Sequence, residues 1–186
     1  MSELFQNKYR IPSARLQTWN YADEGMYFIT ICTAERHYYF GRITEKKMQL
    51  SQLGKIAETE WMKTRELRPD INLLLGEFVV MPNHIHGIIM IGANQYNDNG
   101  ICRDAMHRVS MFGPQRKNLA SVIRGYKSAV TTYARKNNIP FGWQPRFHDH
   151  IIRTMADYYR ISNYIINNPA KWQDDEFHAN DHKRLN

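Results

Sequence analysis

Apolar positions fall into a few dense runs separated by polar connections. Residues 26–33 (MYFITICT) are β-branched and aromatic without a charge, which reads as a buried strand. Residues 39–43 and 48–51 flank TEKK and read as a small hairpin. Over residues 51–67, Leu53, Ile56, Ala57, Glu60 and Trp61 recur at helical spacing behind Ser51, a candidate N-cap, and Pro69-Asp70 ends the helix. Two apolar strands follow, 73–80 and 84–91, and the short Met81-Pro82-Asn83 link makes them antiparallel neighbours. The clearest helix spans 118–137, with Leu119, Val122, Ile123, Tyr126, Ala129, Val130 and Tyr133 on one stripe. Residues 143–153 read as a loop entering a short strand. Thr154 then caps a last helix through Asn167, which Pro169 closes.

Between these elements lie an expected N-terminal arm (1–25), a long connection (92–117) and a polar C-terminal tail (173–186) expected to be loosely held. Internal repeats and linkers are absent from the 186 residues, so one domain is expected. Two strands joined by a tight link point to an α+β fold with an antiparallel sheet flanked by helices.

Composition narrows the function. No apolar run approaches the ~20 residues a membrane span needs, so no membrane partner is expected. The N-terminus has no apolar signal region, and Cys32 and Cys102 are the only cysteines; a cytoplasmic protein with reduced thiols is expected. Net charge +7 and a pI near 9.4 point to a polyanionic partner. The charge is also uneven. From Ala105 to His148 there is no Asp or Glu, while Arg108, Arg116, Lys117, Arg124, Lys127, Arg135, Lys136 and Arg146 fall inside that span. A solvated basic face accounts for such a run as readily as a binding surface.

The candidate chemistry lies in VVMPNHIHGIIMI. Side chains at i and i+2 of a strand share a face, so His84 and His86 project together near a turn, close enough to give one metal ion a nitrogen each. Such a pair also arises by chance. His148 and His150 repeat the spacing, whereas His178 and His182 in the tail read as surface residues. On the last helix, Arg160, Tyr164 and Asn168 are spaced by four and share a face beside the stripe of Tyr158, Ile161 and Ile165. A tyrosine there is a nucleophile candidate and the amide a ligand candidate. Tyr159 flanks the stripe on its other side, and periodicity does not choose between the two tyrosines.

Four ordered blocks, FVVMPNHIHGII, SVIRGYKSAVT, WQPRFHDHIIR and YIINNPAKW, resemble the REP-associated tyrosine transposases, single-tyrosine members of the HUH endonuclease superfamily. The resemblance runs from about Tyr27 to Trp172. It implies a ferredoxin-like or RRM-like sheet, and a single-stranded DNA endonuclease and strand transferase working through a covalent 5′-phosphotyrosine. Matched by position, Tyr164 is the nucleophile, and His84, His86 and Asn168 hold a divalent cation, Mg2+ or Mn2+. His150 and Arg160 become candidates for support of the active site. The implied partner is single-stranded or hairpin DNA, with Arg116, Lys117, Arg124, Lys127, Arg135 and Arg146 as candidate contacts. Relatives act as homodimers or monomers. An alternative is a hairpin-binding protein with little or no turnover. An unrelated TIM-barrel hydrolase is excluded by length, because that barrel needs about 250 residues.

Overall fold

The computed structural model describes residues 21–96, 117–175, 177 and 178. Most of the expected arm, most of the 92–117 connection with Cys102 and Arg116, and His182 lie outside the described residues. Strand β1 (Gly25–Cys32) leads through a short 3-10 turn, Ala34–Arg36, to a hairpin of β2 (Gly41–Thr44) and β3 (Lys47–Leu50). Helix α1 (Gln52–Glu66), strands β4 (Leu73–Val80) and β5 (His84–Ile91), helix α2 (Leu119–Lys136), strand β6 (His148–Ile152) and helix α3 (Met155–Asn167) follow. Beneath the β2–β3 insertion runs a β-α-β-β-α-β order, and the main sheet is β4-β5-β1-β6 with every neighbour antiparallel. That is the ferredoxin-like arrangement, with β1 and β5 central.

Local chemistry explains most boundaries. Ser51 caps α1 by accepting from the Gly54 N–H at 3.0 Å, and Asn118 caps α2 by accepting from Ser121 N–H at 3.0 Å. Glu45 and Lys46 have φ of 51° and 61°, the doubly left-handed turn that suits a two-residue hairpin. The first arm of that hairpin starts at Gly41 and not at Tyr39. Phe40 is fully buried, and its N–H donates to the Pro82 carbonyl instead of a hairpin partner.

The sheet has two unlike faces. Tyr27, Ile29, Ile31, Ile85, Ile89 and Ile91 cluster with Leu53, Ala57 and Trp61 of α1 and with Leu119, Val122, Ile123, Tyr126 and Val130 of α2. Trp61 stacks on Phe78 (ring centroids 4.7 Å) and meets Tyr126 edge-on (5.3 Å). Its indole fits only because β5 carries Gly87 beneath it. A Cβ at Gly87 would lie 2.4 Å from Trp61 Cζ2. The opposite face is covered by α3, where Ile161 and Ile165 meet Ile88 and Ile152. Among the described residues no helix is long and apolar enough to cross a membrane.

Candidate active site

The Met81-Pro82-Asn83 corner is held from below by β1, where the Thr33 N–H and hydroxyl both donate to the Asn83 carbonyl at 2.9 Å. β5 leaves this corner with His84 and His86 on the α3 face, paired across β1 with Cys32 and Thr30. The short range of the pattern therefore works as the spacing predicts, since both imidazoles point the same way and their rings lie 4.5 Å apart.

Each ring is oriented through Nδ1. Asn83 donates its amide Nδ2 to the Phe177 carbonyl at 3.0 Å, which leaves Oδ1 to accept from His84 Nδ1 at 2.9 Å. His86 Nδ1 lies 2.9 Å from the Thr30 hydroxyl. Because an amide oxygen only accepts, His84 carries its proton on Nδ1 and keeps the Nε2 lone pair. That Nε2 is buried with no partner among the described residues, and Nε2 of His86 lies 3.3 Å from the Tyr164 hydroxyl. Acceptors behind Nδ1 set the tautomer and aim of metal-binding histidines in the same way.

The rings are buried, His84 at 0% and His86 at 2% exposure, although they stand beside a turn. The burial comes from the tail. Pro169 ends α3, the chain continues as a 3-10 turn, Pro169–Asp174, and then folds back across the histidines. Phe177 lies 4.4 Å from the His84 ring and 6.0 Å from His86, and Trp172 lies 5.9 Å from His84. His178 packs on Trp172 at 5.1 Å and is part of this cover. Burial holds both histidines in the neutral, ligating form. It lowers His86 to a pKa of about 3, and together with the charges of His86 and Arg36 it holds His84 well below the usual value.

The tail also supplies a carboxylate. Ligand atoms of His84, His86 and Asp175 all lie within 4.8 Å of one another. Asn168 is 2% exposed; it donates through Nδ2 to Asp175 Oδ2 at 3.1 Å, while its Oδ1 is buried with no partner among the described residues. Two neutral imidazole nitrogens and a carboxylate at this separation form a donor set that fits a divalent cation. The two orphaned acceptors are what a cation would satisfy.

The two tyrosines are separated by the fold. Tyr164 brings its ring to 5.3 Å from His86, whereas Tyr159 is 61% exposed and packs on Tyr158. Arg160 pairs with Asp157 at the surface (3.0 Å). His150 is exposed on the edge strand β6, opposite Phe28, and Phe28 contacts both His86 and Tyr164. His148 lies opposite Thr30, so the second histidine pair continues the same sheet face without joining the first.

The basic residues are dispersed. Arg124 and Arg135 are exposed on α2, which covers the sheet face opposite the histidines. Lys127 on that helix is half-buried, donates to the carbonyls of Gln144 and Arg146 at 2.8 Å each, and is lowered by burial to a pKa of about 8. Its ammonium pins the 144–146 turn. Arg146 is exposed, and Lys117 stands 3.6 Å over the Tyr96 ring.

Sequence reasoning missed Arg36, Thr30, Asn83, Asp175 and Phe177. The signal for the last was its place as the sole Phe, Tyr or Trp after Trp172 in a polar tail.

No protein-family model matches the chain. The chain is 37% identical over 171 residues to a protein of Haemophilus influenzae (strain ATCC 51907 / DSM 11121 / KW20 / Rd) described as uncharacterized, covering 90% of this chain and 92% of that one. The two proteins belong to one family. The fold is that of a REP-associated tyrosine transposase. Such an enzyme, solved bound to a REP hairpin, superposes with a TM-score of 0.55 at 20% identity, over 85% of this chain and 74% of that one.

Proposed function

We propose that this protein is a metal-dependent single-stranded DNA endonuclease and strand transferase of the REP-associated tyrosine transposase type. The observation that carries the reading is the meeting of Tyr164 with His86 Nε2 beside two orphaned acceptors, His84 Nε2 and Asn168 Oδ1. The shared fold and the four ordered sequence blocks support it. So does the hairpin held by the similar enzyme, which makes hairpin-bearing DNA the proposed partner.

His84, His86, Asp175 and Asn168 would hold Mg2+ or Mn2+, and Asp175 supplies the anionic oxygen that neutral imidazoles and an amide lack. When bound, the cation polarises the phosphoryl oxygens and fixes the phosphate in place. Tyr164 is the nucleophile. Its oxygen forms a bond to phosphorus as the P–O3′ bond breaks, and the phenolic proton ends on the departing O3′. The products are a 5′-phosphotyrosine and a free 3′-OH. That linkage keeps the phosphodiester energy, so a later 3′-OH can reverse the exchange and join strands. A phenol of pKa near ~10 is a weak nucleophile at neutral pH, which is why position and charge stabilisation must supply the rate. Asn83 holds His84 in its ligating tautomer, and Thr30 fixes the aim of the His86 ring. Exposed Arg124, Arg135 and Arg146, with Lys117, are the proposed phosphate contacts; Lys127 serves them by fixing the turn that carries Arg146.

The test is a denaturing gel with hairpin-forming single strands from the flanks of the gene. A protein–DNA adduct is expected with Mn2+, none in EDTA, and none from Tyr164→Phe, which should still bind the hairpin. An adduct from Tyr164→Phe would remove Tyr164 as the nucleophile. Hairpin binding without any adduct from the unaltered chain would favour the binding-only alternative.

A further inference from the structure

We propose that Arg36 contacts the scissile phosphate, its guanidinium donating to a non-bridging oxygen of the phosphodiester that Tyr164 attacks. The inference rests on the strand-transfer reading and adds a residue to it.

Three observations lead to Arg36. The guanidinium lies in the wall of the site, with Cζ 4.1 Å from the centre of the Phe177 ring, which itself lies 4.4 Å from His84. Stacking on an aromatic face engages the flat side of the guanidinium and leaves its in-plane N–H donors free. One of those donors, Nη1, is buried and has no acceptor among the described residues. A buried cationic donor without a partner is costly, so it points to a partner that arrives with function.

The backbone under it is also unusual. Glu35 and Arg36 are consecutive non-glycine residues with φ of 52° and 59°. Left-handed conformations at such residues cost energy, and they persist where the surroundings over-determine them. Here Thr33 accepts from the Arg36 N–H at 3.3 Å, Ala34 N–H donates to Gly142 at 2.8 Å, and the Thr33 hydroxyl donates to the His37 carbonyl at 2.8 Å. The strained turn is held between β1 and the 142–144 segment, and it carries the side chain back over Phe177.

A fixed positive charge beside a cation site is unfavourable for metal binding alone. A phosphodiester resolves the conflict. On this reading the orphaned acceptors, His84 Nε2 and Asn168 Oδ1, would face a cation, and the orphaned donor, Arg36 Nη1, would face the anion that comes with it. Charge builds on the non-bridging oxygens as tyrosine attacks, so a donor placed there favours the transition state over the ground state.

The cleavage position is first mapped from the adduct of the unaltered protein. Binding is then measured by fluorescence anisotropy, in the non-reacting Tyr164→Phe background with Mn2+, to two hairpin-bearing oligonucleotides. One is all-phosphate, and the other has a single neutral methylphosphonate at the mapped linkage. With Arg36 present, the methylphosphonate should weaken binding about tenfold. With Arg36→Met that penalty should shrink severalfold, to what loss of the cation contact alone leaves, and Arg36→Lys should fall between. In the otherwise unaltered protein, Arg36→Met should slow single-turnover adduct formation on the order of 100-fold. An equal methylphosphonate penalty with and without Arg36 would overturn the contact while leaving the strand-transfer reading intact. If Arg36→Met fails to fold, Arg36→Lys carries the same comparison, and an unreduced penalty there overturns the contact. If the unaltered protein forms no adduct, the strand-transfer reading falls and takes this contact with it.

Discussion

On the α1–α2 side of the sheet, Ile85, Ile89 and Ile91 of β5 pack into the apolar cluster, and Gly87 admits the indole of Trp61, whose Nε1 is the one buried polar atom there left without a partner among the described residues. One residue along the same strand, on the α3 side, His84 and His86 meet a threonine, an asparagine, a tyrosine and a folded-back tail. The two histidines are as dry as that core, and dryness acts differently on them. On the α1–α2 side, burial of apolar surface stabilises the fold at ~25 cal/mol per Å2. On the α3 side, burial strips polar groups of water and leaves two acceptors and one donor unpaired, which destabilises the free protein and prepares it for a ligand. Function sits on the face that the fold alone would be better without.

Three measurements test this contrast. The largest expected effect is His86→Leu, which should bring Mn2+-dependent adduct formation below detection. It should also leave the metal-free thermal midpoint unchanged or higher, because a buried polar ring is replaced by apolar volume. A midpoint drop of the size seen in a core truncation would make His86 a structural residue. Next, Trp61→Ala should cost about 3–5 kcal/mol of stability by denaturant titration. Below the unfolding transition the surviving folded fraction should form adduct at the unaltered rate. A lost adduct in protein that remains folded would mean that the two faces are coupled.

The smallest effect concerns acid. His84 and His86 have folded pKa values lowered by burial, His86 to about 3, while in the unfolded chain both titrate near their ordinary value of 6.5. Below about pH 6.5 the unfolded state binds more protons than the folded one, so stability falls as pH drops from there toward 3. Thermal midpoints in EDTA between pH 7.5 and 4 should decline for the unaltered protein and decline less for His86→Leu. Identical slopes would mean that His86 is not buried in neutral form.

Much of the architecture was legible in the pattern of the chain. Ser51 and Thr154 cap their helices as the residue types predict, and Asn118, read as the start of its helix, caps it, because a cap is a bond between residues three apart. The boundaries of β4 and β5 follow from apolar runs and one Pro-Asn corner. The shared face of His84 and His86 follows from a period of two. The order of these elements already pointed to the antiparallel α+β sheet that forms.

Other features depended on contacts between distant parts of the chain. Nothing in the spacing of Tyr159 and Tyr164 separates them. The packing of α3 through Ile161 and Ile165 turns one toward His86 and the other toward solvent. The polar composition of the tail gave no warning that Asp175 and Phe177 would cover the histidines, since a single aromatic and a bond from Asn168 decide it. Lys127 reads as one more cation in a basic run, yet its ammonium is engaged by two carbonyls from the 144–146 turn. By itself the sequence determined what repeats locally: strand faces, helix stripes, caps and the corner before His84. Only the tertiary structure decided which side chains lose their water together, because burial is a property of neighbours that lie 50 to 94 residues away along the chain, as Thr33 with Asn83 and Asn83 with Phe177.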